Sequence, residues 1–229
     1  MGQESPVLGL EGGDVARQNR VTPFGEVVAV PERGTFMGNR GCITDGQGRL
    51  RPRRWAGQAW IICMTEYKGQ RLELWGEGLN TQLFFLDEAT ALAAGHRPCF
   101  RCRDADARRF RDAWLRGNPE AGLQPGAAIG RIDAALHDER LRPGGSKATY
   151  RARLGGVPQG AFVALDGEPG AALLVVAGAL WRWSAAGYSQ GPPLRPDEEA
   201  NVLTPRSTAN AIAAGYAPAL YGALGSTGG

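Results

Sequence analysis

Hydrophobic and polar positions alternate in short runs through the first half of the chain. Alternation with a period of two is typical of a half-buried strand, and turns that contain glycine separate the runs. The pattern predicts strands over residues 26–30, 58–67, 71–75 and 81–86. Because several of these runs are joined by short turns, they are predicted to form an antiparallel sheet.

Apolar residues spaced three or four positions apart predict helices after these strands. Asp87 can cap a short helix that ends at Gly95, and Asp104 can cap a second helix that ends at Gly117. A third helix is predicted over residues 131–141, where the apolar side chains fall on one face. The middle of the chain is therefore predicted to be helical.

The last third of the chain returns to strand-like runs, over residues 161–165, 171–177, 180–183 and 201–203. The turn between the first two runs contains Asp, Gly and Pro, which is typical of a hairpin connection. Pro205 suits the first position of a final helix, and Gly215 suits its end. This region is therefore predicted to form a β-hairpin or a small meander, followed by a helix.

Together these elements predict an α+β protein of two closely packed lobes. Residues 21–117 hold the small antiparallel sheet with its short helices, and residues 126–216 hold the hairpin and helix. The boundary between them is short and rich in Pro and Gly. Residues 1–20 and 217–229 are rich in glycine and lack periodicity, so both are predicted to be mobile tails.

The composition is that of a globular chain. Of 229 residues, 43% are hydrophobic and 21% are charged, which is sufficient for a buried core. The longest apolar run, 171–181, is shorter than the roughly 20 residues that a bilayer-spanning helix needs. Residues 1–15 lack the basic and apolar regions of a signal peptide. A cytoplasmic location without a membrane partner is therefore expected.

Arginine carries almost all of the positive charge. The formal net charge is +3, and only Lys68 and Lys147 among the 26 basic residues are lysines. The arginines cluster at residues 49–54 and 97–116. A net charge this small does not by itself indicate a nucleic-acid-binding protein. However, the planar guanidinium fork fits phosphate and carboxylate groups, so the clusters are candidates for anion contacts.

Four cysteines, Cys42, Cys63, Cys99 and Cys102, are expected to be reduced thiols because the sequence shows no secretory signal. Cys99 and Cys102 form a C-x-x-C pair, whose spacing lets two thiolates approach one metal ion from a single tight turn. A thioredoxin-like redox pair would follow a strand, whereas this pair follows the helix-ending Gly95. A structural zinc takes four ligands, so a zinc site here needs partners from elsewhere in the chain.

The segment around this pair, FFLDEATALAAGHRPCFRCR at residues 84–103, resembles a known zinc domain. It is similar to the latter part of the N-terminal domain of the bacterial adaptive-response (Ada) DNA repair proteins. The shared features are two aromatics, a short Ala-rich helix, a glycine and the pattern R-P-C-x-R-C-R. In that family four cysteines hold zinc, and one of them accepts a methyl group from a DNA phosphotriester. The resemblance implies a zinc site in this chain.

The resemblance also implies that Cys63 is a ligand, because it lies on a predicted strand at about the distance of the family's first cysteine. The family's next ligand stands four residues later, where this chain has Tyr67. The fourth ligand must then come from elsewhere, either Cys42 or His96. The family has an aromatic at the position of His96, which favours a packing role for this histidine. The predicted zinc ligands are therefore Cys42, Cys63, Cys99 and Cys102.

A zinc site at this turn predicts a surface that binds nucleic acid. Arg97, Arg101 and Arg103 flank the C-x-x-C pair, and a metal-fixed turn would hold them rigidly towards phosphate groups. The leading interpretation is a zinc-stabilised protein that binds nucleic acid, DNA in particular, with a role in repair or its regulation.

Two alternative functions remain open from the sequence. One is an enzyme that acts on a small or phosphorylated substrate between the two lobes. Its nearest candidate residues are His96 and the glycine-rich segment 34–41, whose backbone N–H groups could face an anion. The other is a module in which the zinc serves only to stabilise the fold.

Overall fold

The structure, a computed structural model, describes residues 16–45, 47–71, 80–222 and 224. In these ranges it contains four α-helices and two six-stranded sheets, which confirms the predicted α+β class. Most of the predicted strand 71–75 lies outside the described residues. Within the described ranges, none of the helices combines the length and the apolar character that crossing a bilayer requires.

The N-terminal sheet is mixed rather than antiparallel. In chain order the first eight strands are β1 (Gln18–Val21), β2 (Val27–Ala29), β3 (Phe36–Asn39), β4 (Ile61–Cys63), β5 (Glu66–Tyr67), β6 (Gln70–Arg71), β7 (Leu83–Phe85) and β8 (Arg97–Pro98). Strands β5 and β6 form a separate hairpin, and the others are arranged as β2-β1-β7-β3-β4-β8. Strand β1 is parallel to β7 and β4 is parallel to β8. The sequence did not predict β1 or β8, and these are the strands that form the parallel pairs.

Two glycines allow close pairing of the strands in this sheet. A Cβ atom on Gly34 would lie 2.3 Å from the Phe85 carbonyl oxygen, and one on Gly38 would lie 2.1 Å from the Ile61 carbonyl oxygen. The segment 34–41 therefore contains strand β3 and is not the anion-binding loop that its glycines suggested. Its glycines are needed because backbones approach each other closely there.

The C-terminal sheet is larger than the predicted hairpin or small meander. Its strands are β9 (Tyr150–Arg153), β10 (Phe162–Ala164), β11 (Leu173–Val176), β12 (Ala179–Ser184), β13 (Gly187–Gln190) and β14 (Glu199–Val202). They are arranged as β13-β12-β11-β10-β14-β9, and every neighbouring pair is antiparallel. The predicted hairpin β10–β11 is therefore the centre of a wider sheet.

The four helices are α1 (Glu88–Ala93), α2 (Asp104–Gly117), α3 (Ile129–Arg140) and α4 (Arg206–Ala213). The side chain of Asp87 caps α1 by accepting a hydrogen bond from the Thr90 N–H at 2.8 Å. Asp104 does not cap α2 but is its first residue, where its negative charge still favours the helix N-terminus. The helices thus begin and end within a few residues of their predicted positions.

One hydrophobic core joins the two predicted lobes. Buried residues of the N-terminal sheet and α2, such as Phe85 and Trp114, pack in one cluster with Leu136 of α3 and Tyr216 beyond α4. The Trp114 indole also donates a hydrogen bond of 2.8 Å to the Ser207 hydroxyl. The two halves are therefore held together by shared apolar packing.

The segments predicted as mobile tails are partly ordered. Residues 18–20 belong to β1. At the other end, the Ala219 N–H donates to the Glu88 carboxylate at 3.0 Å, and the Tyr221 N–H donates to the Asp87 carboxylate at 3.1 Å. The segment that follows α4 is therefore hydrogen-bonded to the start of α1. Residues 18–20 and 219–221 are thus part of the fold, although the prediction placed them in the tails.

Candidate metal centre

Adjacent strands bring three cysteines to one end of the N-terminal sheet. Cys63 is the last residue of β4, and β8 lies parallel to β4 with Ile62 opposite Pro98. Cys99 follows β8 directly, and its N–H donates to the Ile62 carbonyl at 2.9 Å. A tight turn then leads to Cys102 just before α2. The β4–β8 pairing thus places the C-x-x-C turn beside Cys63.

The three thiols are close enough together to bind one metal ion. The sulfur atoms of Cys63, Cys99 and Cys102 all lie within 4.8 Å of one another. Ligands at about 2.3 Å from a tetrahedral zinc would have sulfur atoms about 3.8 Å apart. Cys63 and Cys99 are buried beside Met37, whereas Cys102 is half-buried. The donor set and its spacing therefore fit a metal of the zinc type.

Backbone N–H groups point towards the sulfur atoms of the turn. The Arg101 N–H donates to Cys99 Sγ at 3.3 Å, and the Cys102 N–H also bonds this sulfur. The Met64 N–H bonds Cys102 Sγ. Such bonds stabilise a thiolate more than a thiol. The turn is thus built to hold negative charge on sulfur, as metal ligation requires.

The thiols have opposite pKa shifts in the metal-free protein. A hydrogen bond from Cys63 and the backbone N–H groups lower the pKa of Cys99 to about 5, against the opposing effect of burial. The same bond to Cys99 and burial raise the pKa of Cys63. Burial and the Cys99 charge also raise the pKa of Cys102. Cys99 is therefore the first thiolate to form, and a bound cation would replace the protons on the other two.

Cys42, the preferred fourth ligand, lies outside this cluster. Its sulfur is 3.7 Å from the Thr44 carbonyl oxygen, and it is not among the three sulfurs that approach one another. Cys42 comes two residues after Arg40, beyond the end of β3, whereas Cys63 pairs with Met37 near the start of that strand. Since the two cysteines are at opposite ends of the β3–β4 pair, Cys42 does not join Cys63 in a single site.

His96, the alternative fourth ligand, is also outside the cluster. Its ring is completely buried and packs against Trp60 and Phe85, with ring centroids 5.2 Å and 4.7 Å away. The Arg40 guanidinium donates to His96 Nε2 at 3.2 Å. Burial, followed by the charges of Arg40 and Arg140, lowers the pKa of His96 well below its usual value. His96 is therefore a neutral packing residue.

Two of the three arginines predicted to contact phosphate are inside the protein. Arg97 makes two hydrogen bonds to the Asp133 carboxylate, at 2.9 Å and 2.7 Å, and both side chains are buried. Arg103 is buried and pairs with Glu88 at 2.9 Å and with Asp106 at 2.7 Å. Arg97 thus links the cysteine turn to α3, and Arg103 links it to α1. The prediction that these two arginines contact phosphate is therefore wrong.

Arg101 is the member of the predicted trio that faces solvent. It lies between the two cysteines of the turn, and its side chain is exposed. Further along α2, the exposed Arg108 and Arg109 pair with Asp104 and Asp106. The positive surface beside the cysteines is therefore smaller than the arginine count alone implied.

Comparisons with known proteins do not assign the chain to a family. No model of a known protein family matches it, and no curated protein or solved structure matches it significantly.

Proposed function

We propose that the protein binds zinc through Cys63, Cys99 and Cys102. The observation that supports this most directly is the convergence of three sulfur atoms at one sheet edge, two of which accept hydrogen bonds from backbone N–H groups. Thiolates at this spacing are typical ligands of zinc in reduced proteins. No other His, Cys or carboxylate from the described ranges joins the three, so the fourth position is left to a group from outside this set.

We further propose that the surface beside the metal contacts nucleic acid. The support is the resemblance of residues 84–103 to the Ada zinc domain, together with exposed Arg101 between two ligands. A guanidinium on a metal-fixed turn loses little conformational freedom when it meets a phosphate. This contact would supply affinity without sequence preference.

Metal content tests the zinc proposal, and Cys42 provides a matched control. The purified protein is expected to contain one zinc per chain by elemental analysis. Cys99→Ser should lose most of this zinc because two thiolates bind it far more weakly than three. Cys42→Ser should retain it, since Cys42 lies outside the cluster. Absence of zinc after refolding with excess metal, or equal loss in both variants, would refute the proposal.

DNA binding tests the second part of the proposal. Replacing Arg101 by Ala should weaken binding to duplex DNA and reduce the slope of log K against log salt by about 0.9, the value for one phosphate contact. Arg195→Ala is the control, because Arg195 is exposed in the C-terminal half of the chain. Fluorescence anisotropy over a salt series provides both slopes, and circular dichroism checks the fold.

The same titration separates the nucleic-acid function from a purely structural zinc. If the zinc-loaded protein does not bind DNA at low salt, or if Arg101→Ala binds as strongly as the parent, the nucleic-acid proposal is wrong. Zinc retention with no DNA binding would then leave a module whose metal stabilises the cysteine turn.

A further inference from the structure

A cavity of about 560 Å³ lies at the opposite end of the β3–β4 pair from the cysteines. Arg40, just after β3, and Trp60, just before β4, line it, whereas Met37 and Cys63 mark the other end of the pair. The end of α3 and the segment after it close the cavity on the remaining side. Its volume is in the range of small-molecule sites.

Four cationic side chains line this cavity: Arg54, which is exposed, and Arg40, Arg140 and Lys147, which lie further inside. Arg40 is 2% exposed and donates to His96 and to the Gly25 carbonyl, but its Nη2 atom has no hydrogen-bond partner. A buried guanidinium nitrogen without a partner is costly, since nearly all buried polar atoms in proteins are satisfied. A bound ligand with a hydrogen-bond acceptor would therefore satisfy the Nη2 donor of Arg40.

The other two inner cations bond only to neutral groups. Arg140 is 2% exposed and donates to the carbonyl oxygens of Gly95 and Gln58, while its Nε atom has no partner. The Lys147 ammonium donates to the Ala93 carbonyl. In the part of the chain that the structure describes, none of the three inner cations forms an ion pair with a carboxylate.

The nearby acidic groups are bound elsewhere. Both carboxylate oxygens of Asp133 accept hydrogen bonds from Arg97. Both oxygens of Glu139 accept from Ser207, one from its hydroxyl and one from its N–H. Glu26 lines the cavity but is exposed to solvent. The positive charge within the cavity is therefore only partly compensated.

The pKa shifts of the cations reflect this imbalance. Burial and the Arg140 charge lower the pKa of Arg40 to about 9. Burial lowers the pKa of Arg140 to about 9, although Asp133 and Glu139 oppose this. Burial and the Arg40 charge lower the pKa of Lys147 to about 7, against a smaller opposing effect of Glu139. Like charges are held close together with only partial compensation from carboxylates, which is typical of a functional site.

Aromatic rings lie beside the cations of the cavity, and the buried Trp60 supports two of the guanidiniums. The guanidinium carbons of Arg40 and Arg140 lie 4.2 Å and 3.8 Å from the Trp60 ring centre. Trp55 and Phe24 also line the space and are half-buried. Rings next to cations can hold a ligand that has an anionic group attached to a planar one.

We propose that this cavity binds a small organic oxyanion, a phosphate or carboxylate attached to a planar ring, with the oxyanion against Arg40, Arg140 and Lys147. The planar part contacts the half-buried Trp55. Guanidinium forks suit both kinds of oxyanion, so a nucleotide and an aromatic acid are the two ligand sources to compare. The site is independent of the cysteine cluster and of the zinc proposal.

Ligand-induced stabilisation tests this inference with paired probes. Adenosine monophosphate is compared with inorganic phosphate, and benzoate with acetate. At least one ring-bearing probe is expected to raise the melting temperature at millimolar concentration and to bind more tightly than its partner without a ring. If neither adenosine monophosphate nor benzoate binds or stabilises the protein, the proposal is wrong.

Variants of the cations identify the site. Lys147→Met should weaken binding of the active probe by about tenfold or more, and Arg40→Met should do the same, because each removes a charge that meets the oxyanion. Arg195→Met, on the exposed surface, should bind as the parent does. Undiminished binding by Lys147→Met would overturn the assignment.

Stability without ligand shows whether a loss of binding comes from unfolding. Lys147→Met keeps the apolar stem and removes a half-buried charge that has no carboxylate partner, so its melting temperature without ligand should equal or exceed that of the parent. A stable Lys147→Met protein that no longer binds the probe supports the site. A variant that is less stable than the parent shows that the charge is structural and contradicts the proposal.

Discussion

Arg103→Met is expected to destabilise the protein by about 3 to 5 kcal/mol, the usual cost of removing one partner from a buried ion pair. Arg103 is 6% exposed and Glu88 is 2% exposed, and their charged atoms are 2.9 Å apart. Without the guanidinium, the Glu88 carboxylate keeps hydrogen bonds from Tyr216 and Ala219 but has no cation beside it. Urea unfolding monitored by circular dichroism gives the free energy directly.

Arg108→Met is the matched control for this prediction. Arg108 pairs with Asp104 at 2.8 Å on the same helix, but both side chains are more than half exposed. An exposed pair of this kind contributes less than about 1 kcal/mol. If the two variants lose the same stability, the pair between Arg103 and Glu88 is not the anchor that its burial indicates.

Gly38→Ala is expected to cost about 3 kcal/mol, because the new Cβ would lie 2.1 Å from the Ile61 carbonyl oxygen. Because the clashing atom belongs to the backbone, rotation of a side chain cannot relieve the contact. Strands β3 and β4 must move apart instead. Cys63 lies at the end of β4, opposite Met37 of β3. The variant should therefore also retain metal less well, which unfolding and elemental analysis together would show.

Gly57→Ala is the control for the effect of the added methyl group. Apart from Gly57 and its two chain neighbours, no residue has a heavy atom within 4 Å of a Cβ atom built on Gly57, so this change should leave stability within about 0.5 kcal/mol of the parent. A Gly38→Ala protein as stable as Gly57→Ala would mean that the strand pair adapts without strain.

The local parts of the candidate site could be predicted from the sequence. The spacing of Cys99 and Cys102, the Asp87 cap and the Gly95 stop are signals within a few residues of one another. They placed a short helix before the cysteine turn, and the structure confirms this helix as α1. Such signals are reliable because each depends on backbone geometry that neighbouring residues determine.

The long-range parts could not be predicted in this way. Arg97 binds Asp133, which is 36 residues away, so no pattern near Arg97 distinguishes a buried guanidinium from an exposed one. Strand β8 has only two residues, too few to show alternation, although it sets the position of the cysteine turn. Nothing in the sequence around Cys42 excludes it from the site, and only the strand register separates it from the other three cysteines.

The attachment of the chain's end to α1 has a consequence for biosynthesis. The helix that precedes the cysteine turn completes its polar contacts only with residues from 216 to 221, and the shared core includes Ile212 and Tyr216. During synthesis the N-terminal half therefore emerges long before its partners exist. Contacts so distant in sequence slow folding, since a large loop must close before they form. Chains that end before residue 216 are consequently expected to expose apolar surface and to aggregate rather than to yield an independent N-terminal domain.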